Sequence, residues 1–289
     1  MWRWWFQRPI ARRAPSAQAH AEGWRLSMSD VLVLCYHAVS ERWEWGFAVR
    51  PDEFERQLRL LIGRGYRGST FTDAVNARHG GRQLVVTFDD AYRSVFEQAL
   101  PVLSKLGLPG TVFACTEYVG EGGPMPLTGL APWLGTPIED ELSSMSWAQL
   151  ADLTRAGWEV GSHTRSHPHL TQLDDRELAD ELRRSKSACE QRLGGTCHSL
   201  AYPYGDVDAR VVEATRAAGY TAGATLHTGL RCPGPLQWPR VVLYRHEPLW
   251  RSAAKVARAG RALSDVPGWE TLRRLRVSTR RLRGPIEPL

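Results

Sequence analysis

Eight short apolar runs, most of them followed by a helical pattern, set the strongest limit on how this chain can fold. The runs cover residues 31–37, 66–71, 83–88, 110–115, 158–162, 199–204, 220–226 and 240–244. Their length and lack of helical periodicity mark them as buried strands. Between them, Pro51 opens a helix with Phe54, Leu58, Leu61 and Ile62 on one face, stopping near Gly63 and Gly65. Phe96, Leu100, Leu103 and Leu106 mark another, with a kink expected at Pro101 and an end at Gly107. Ser146 and Gln149 form a capping box for a helix ending at Gly157, and Asp174 with Glu177 starts a long charged one reaching Leu193. Residues 209–218 complete the pattern. Strand–helix alternation at this number implies an α/β fold in which parallel strands close, or nearly close, into a barrel. The carboxyl ends of all the strands then lie on one rim, where active sites are built.

Four runs end in groups that bind metals or move protons: His37, Asp89 with Asp90, His163, and Tyr204 with Asp206. A single histidine at a strand end is ordinarily structural, and an aspartate there is often a helix cap. Four coincident ends weaken both explanations. In Ser162-His163-Thr164-Arg165-Ser166-His167-Pro168-His169, histidines four apart converge if the segment makes a turn, and imidazole nitrogen suits zinc. Two histidines and one carboxylate leave open positions, the arrangement of a catalytic site.

Thr87-Phe88-Asp89-Asp90, Ser162-His163-Thr164-Arg165-Ser166-His167 and Ala201-Tyr202-Pro203-Tyr204-Gly205, in this order, resemble the polysaccharide deacetylase family. This is the NodB-homology group, carbohydrate esterase family 4. The resemblance covers about residues 31–245 and implies a distorted (β/α) barrel of seven to eight parallel strands. It also implies hydrolysis of the N-acetyl group of an amino sugar in a polysaccharide or glycoconjugate. By that resemblance Asp89 is the general base, and Asp90, His163 and His167 hold a divalent metal, foremost Zn2+, with Co2+, Mn2+ or Ni2+ as alternatives. A backbone N–H near Tyr204 would stabilise the oxyanion.

The chain departs from the family pattern in three places. Ala91 stands where a glycine usually follows the aspartate pair. Ala201 stands where an arginine usually orients the base; Arg240 is the first candidate to replace it and Arg165 the second. The late Leu-x-His motif has only an approximate match at His246, so His37 is preferred as the general acid. Two other readings stay open: a carbohydrate-binding protein that has lost catalysis on this fold, and a deacylase or deformylase of a lipid-linked or small glycoside.

The net charge of +6 lies at the ends: residues 1–25 hold five Arg and one Glu, and residues 250–289 ten Lys or Arg and three Asp or Glu. Residues 1–28 are expected as an N-terminal tail, 29–248 as the catalytic domain and 249–289 as a basic helical extension. The Arg-rich end could touch an anionic membrane surface. Nucleic acid is disfavoured because no stacking or base-reading motif accompanies the charge. The opening residues lack the apolar core of a signal peptide, and no run is long enough to span a bilayer. A cytoplasmic or membrane-peripheral protein is therefore expected. The five cysteines form no metal-ligand spacing and suit buried positions. Residues 117–145, rich in Gly and Pro, are too long for an ordinary connection and are expected to form a functional loop or lid.

Overall fold

The computed structural model describes residues 31–76, 81–120, 122–226 and 234–257. Its principal sheet is wholly parallel. The strands are β1 (Val31–Tyr36), β2 (Arg67–Gly68), β3 (Gln83–Phe88), β4 (Thr111–Ala114), β5 (Glu159–Ser162), β6 (Ser199–Ala201) and β7 (Ala222–Thr225). The eighth, β8, is split into Trp238–Pro239 and Val241–Val242. The first half of β8 pairs with β7, and the path continues through β6, β5, β4 and β3 to β1, which pairs with the second half of β8. One broken strand thus supplies both edges, and the barrel is nearly closed with its seam at Arg240. Strand β2 pairs with the start of β3.

Helices α1 (Pro51–Ile62), α2 (Phe71–Asn76), α3 (Leu100–Leu106), α4 (Trp147–Arg155), α5 (Asp175–Leu193), α6 (Ala209–Ala217) and α7 (Leu249–Val256) accompany the strands. Pro51 begins α1, Asp52 and Glu53 complement its dipole, and Phe54, Leu58 and Leu61 are its buried stripe. Both expected capping boxes form. Ser146 Oγ accepts the Gln149 N–H at 3.2 Å while Gln149 Oε1 accepts the Ser146 N–H at 2.9 Å. Asp174 accepts the N–H groups of Arg176 and Glu177 at 2.9 and 2.8 Å.

Alternation along the strands divides the core into two layers. Leu32, Leu34, Tyr36, Leu84, Val86 and Phe88 pack with the helices, while Val31, Val33, Val85, Phe113, Ala201, Ala224 and Trp238 form a separate cluster. Each large buried apolar side chain contributes about 1.5–3 kcal/mol relative to exposure. The same two-residue period carries Cys35, Thr87 and Asp89 onto the inner face with Val33 and Val85. The apolar interior therefore becomes polar toward the carboxyl rim.

Several expected boundaries move. The 66–71 run pairs only at Arg67–Gly68, and Phe71 begins α2 instead. Pro101 does not kink the inside of a helix: a π-helical turn at Val95–Ala99 precedes it, and it sits in the first turn of α3, where its missing N–H costs no bond. The 199–204 run ends as a strand at Ala201, and Tyr204 lies in the 3₁₀ turn Pro203–Gly205. The long segment beginning at 117 is packed down along part of its length. Its Met125, Leu130 and Leu142 are buried with Trp43 and Tyr92. Cys35, Cys115, Cys189 and Cys197 are free and buried. Cys232, the 1–28 tail and the extension beyond residue 257 lie outside the described residues.

Candidate active site

Asp89 closes the inner face of β3, and its N–H still donates to the Tyr36 carbonyl at 3.0 Å as part of the parallel ladder. The next two residues are left-handed, with φ of +66° at Asp90 and +58° at Ala91. The sharp turn separates the two neighbouring carboxylates. Position 91 is one where a glycine would be free of strain and alanine is not. Of the six described non-glycine residues with positive φ, five (Asp90, Ala91, Thr164, His167 and Tyr204) belong to this rim. Strain concentrated in this way is a mark of a functional site.

Asp89 turns to Arg240. The guanidinium donates to Asp89 Oδ1 at 2.6 Å and Oδ2 at 2.8 Å, with both residues buried. The Thr87 hydroxyl accepts from Arg240 at 3.1 Å and donates to the Leu34 carbonyl at 2.7 Å. Cys35 Sγ lies 3.5 Å from Asp89. Burial alone would push the Asp89 carboxyl up, but Arg240 and then His163 outweigh it and hold it well below the usual carboxylate range. Arg165, the second candidate for this role, pairs with Glu117 at 3.2 Å on the surface.

Asp90 turns to the histidines. His163 Nε2 and His167 Nε2 lie 3.6 and 3.7 Å from Asp90 Oδ1, and the three ligand atoms fall within 4.8 Å of one another. His163 Nδ1 donates to the Ala201 carbonyl at 2.8 Å, which leaves Nε2 as a lone pair aimed at Asp90. Burial lowers the pKa of His163 and of His167 to about 4, so both rings are neutral at pH 7. Burial also pushes Asp90 up, and no guanidinium or ammonium pairs with it among the described residues. A buried carboxylate without a cationic partner, between two neutral imidazoles, fits a divalent cation such as zinc.

His37 follows β1 and packs on Phe47 and Trp45, with ring centroids 4.6 and 5.9 Å away. Its Nδ1 is buried without a partner, and it lies close enough to couple electrostatically to Asp89, Asp90 and His167. His246 instead faces solvent and pairs with Glu44 and Glu53. The Tyr204 ring stacks on His169 at 3.9 Å and meets the edge of His167 at 4.6 Å. Asp206 faces His169 at 3.6 Å rather than the Asp90 cluster. The contacts of Thr87 with Arg240 and of Cys35 with Asp89 are not foreseen from the sequence. Their signal was two polar side chains on the inner phase of strands that are otherwise apolar.

The polysaccharide deacetylase family model matches residues 76–223. YxkH of Bacillus subtilis is 24% identical over 204 residues, which are 68% of this chain and 64% of YxkH. The poly-beta-1,6-N-acetyl-D-glucosamine N-deacetylase of Staphylococcus epidermidis is 23% identical over 240 residues, 73% of this chain and 78% of that protein. Among solved structures, IcaB of Ammonifex degensii superposes with a TM-score of 0.63 at 26% identity, covering 82% of this chain and 97% of IcaB.

Proposed function

This chain belongs to the polysaccharide deacetylase family, hydrolases of linear amide bonds, and we propose that it removes N-acetyl groups from a polymer of N-acetylated amino sugar. The observation that carries this reading is the division of labour at one turn. Asp89 is held ionised by Arg240, while Asp90 faces His163 and His167. The named substrate of the Staphylococcus epidermidis relative, a β-1,6-linked N-acetylglucosamine polymer, is the first glycan to test.

Asp90, His163 and His167 would hold a divalent cation, which when bound would supply Lewis-acid polarisation of the amide carbonyl and a more acidic water. Asp89, fixed by Arg240, takes the proton of the attacking water. The backbone at Tyr204 is the candidate donor to the carbonyl oxygen as it gains charge. His37 gives a proton to the amine as the carbon–nitrogen bond breaks, leaving acetate and the free amino sugar. The case for a catalytically silent sugar-binding protein rested on the arginine missing at position 201. Arg240 supports the enzyme reading instead, since it reaches Asp89 from another strand with both terminal nitrogens.

The test is acetate release from N-acetylglucosamine oligomers by protein stripped with chelator and then given Zn2+, Co2+, Mn2+ or Ni2+ in turn. Metal-restored acetate release is expected. Sugar binding without acetate under every metal would sink the reading, and release of formate from an N-formyl substrate alone would redirect it to a deformylase.

A further inference from the structure

We propose that Glu181, on α5, is the positioning residue that fixes His167 in the metal site. The inference rests on the reading of Asp90, His163 and His167 as ligands. The buried stripe of α5 is Leu178, Glu181, Leu182, Ser185 and Cys189, so a carboxylate occupies a core phase of this helix. Glu181 is only 8% exposed, and no Lys, Arg or His lies within ion-pair distance of it among the described residues. Its partners come from one turn. Oε2 accepts the N–H groups of Arg165 and Ser166 at 2.9 and 3.0 Å, and Oε1 accepts the Ser166 hydroxyl at 2.7 Å.

That turn is the one that delivers His167. It is bracketed by two left-handed residues, Thr164 at φ +67° and His167 at φ +62°. Such conformations cost about 1–3 kcal/mol each and persist only where their surroundings enforce them. On the carbonyl side, Thr164, Arg165 and Ser166 accept from Thr116 N–H at 3.2 Å, Glu117 N–H at 3.0 Å and the Tyr118 hydroxyl at 3.1 Å. On the amide side, Glu181 is the partner of both central N–H groups.

The two histidines are oriented by different means. His163 stands at the end of a strand, and its ring is fixed directly through Nδ1 on the Ala201 carbonyl. The Nδ1 of His167 is buried with no such partner. Its placement is therefore left to the backbone, where its own N–H donates to Thr164 Oγ1 at 3.1 Å and Glu181 holds the two N–H groups just before it. A carboxylate acting through the backbone of the turn does the work that a direct acceptor does for His163.

The experiment is a zinc titration against a competing chromophoric chelator, run below the unfolding temperature of each metal-free protein. Glu181→Ala is expected to weaken zinc binding about 10- to 100-fold. Glu181→Gln keeps an oxygen for the two N–H groups and an amide that can donate to the Ser166 hydroxyl, so it is expected to restore most of the affinity. Ser166→Ala should fall between the two. Asp174→Ala removes the cap of the same helix and should lower thermal stability while leaving zinc affinity unchanged. With cobalt, the Glu181→Ala site should also show an altered visible absorption band. A folded Glu181→Ala protein that binds zinc as tightly as the parent overturns the proposal, as does an equal loss in Asp174→Ala. Should Glu181→Ala fail to fold, unchanged affinity in Ser166→Ala overturns it instead. A parent protein that binds no zinc overturns the ligand assignment itself, a result distinct from all of these.

Discussion

Both terminal nitrogens of Arg240 meet both oxygens of Asp89, at 2.6 and 2.8 Å, across the seam where the barrel closes. The pair comes from the broken strand β8 and from the strand beside β1, so closure of the fold and ionisation of the candidate base depend on the same contact. Pleat alternation explains why a guanidinium can sit there. Thr87, Cys35 and Asp89 make the upper interior of the barrel polar, while Phe113 below it offers its ring to the Arg240 guanidinium at 5.6 Å.

Arg240→Ala leaves a buried carboxylate without its partner. A loss of about 3–5 kcal/mol in unfolding free energy is expected, measured by urea titration at pH 7. The Asp89 carboxyl should also rise, because burial is then opposed only by His163 and His37 and no longer by the Arg240 guanidinium. The acid limb of kcat/KM should therefore move to higher pH in this variant. An unmoved limb in a folded, active variant would show that Asp89 is not the titrating base.

Asp89→Asn should separate metal binding from turnover. Zinc content stays at the parent level while kcat falls by about 10²–10⁴, the range for loss of a general base. His163→Ala should lose both, because it removes a ligand atom. Full activity in Asp89→Asn would refute the assignment of the base.

Much of this site is legible in the sequence, because strand ends and rim residues coincide. His37, Asp89, Asp90 and His163 each follow an apolar run, and parallel topology brings such ends together. Partnership across the barrel is much harder to read. Arg240 is reached from the sequence only as a stand-in for the arginine missing at position 201; nothing around it fixes that it faces Asp89, 151 residues away, and its strand is broken just where the arginine sits. Elements shorter than the pattern that suggests them, such as β2 and β6, are trimmed by the tertiary structure rather than by local preference. Glu181 shows the opposite failure. Its charge concealed a core position, since a long charged helix directs attention to its solvent face.

The metal-free protein should lose stability between about pH 6.5 and pH 4. His163 and His167 both have folded pKa values lowered by burial to about 4, below the ordinary value of about 6.5. As pH falls through this window the unfolded chain takes up the protons first, so unfolding becomes easier. The raised Asp90 carboxyl works the other way, gaining its proton earlier in the folded state, and offsets part of the loss. Asp89 contributes nothing in this window, because its depressed carboxyl loses its stabilising effect only at lower pH. Chemical unfolding at half-unit steps checks the sign. A His163→Phe, His167→Phe double variant should flatten the curve.

His37→Gln should spare metal binding and lower kcat by about 10²–10⁴ if this residue protonates the leaving amine. The readout that isolates the role is the leaving group. Substrates whose amine departs easily, such as activated anilides, should lose much less than the sugar amide. His246→Gln should leave both rates unchanged, since His246 pairs with Glu44 and Glu53 at the surface.

Helix α7 begins with Leu249 and Trp250, exposed by 41% and 73%, the latter the most exposed large hydrophobic side chain among the described residues. The helix follows β8, so its first turn lies toward the carboxyl rim that holds the candidate site. From residue 250 onward the sequence holds ten Lys or Arg against three Asp or Glu, and each basic residue near an anionic bilayer is worth about 1 kcal/mol. Exposed aromatic and aliphatic side chains, in a stretch of sequence rich in positive charge, suit a negatively charged lipid surface. The protein should therefore sediment with vesicles rich in anionic lipid and not with neutral ones. Binding should fall at 0.5 M salt (a Debye length of about 4 Å) and in the Leu249→Ala, Trp250→Ala double variant. Binding lost with salt but untouched by the double variant would assign the contact to the basic chain alone. Equal sedimentation with neutral and anionic vesicles would remove the electrostatic argument.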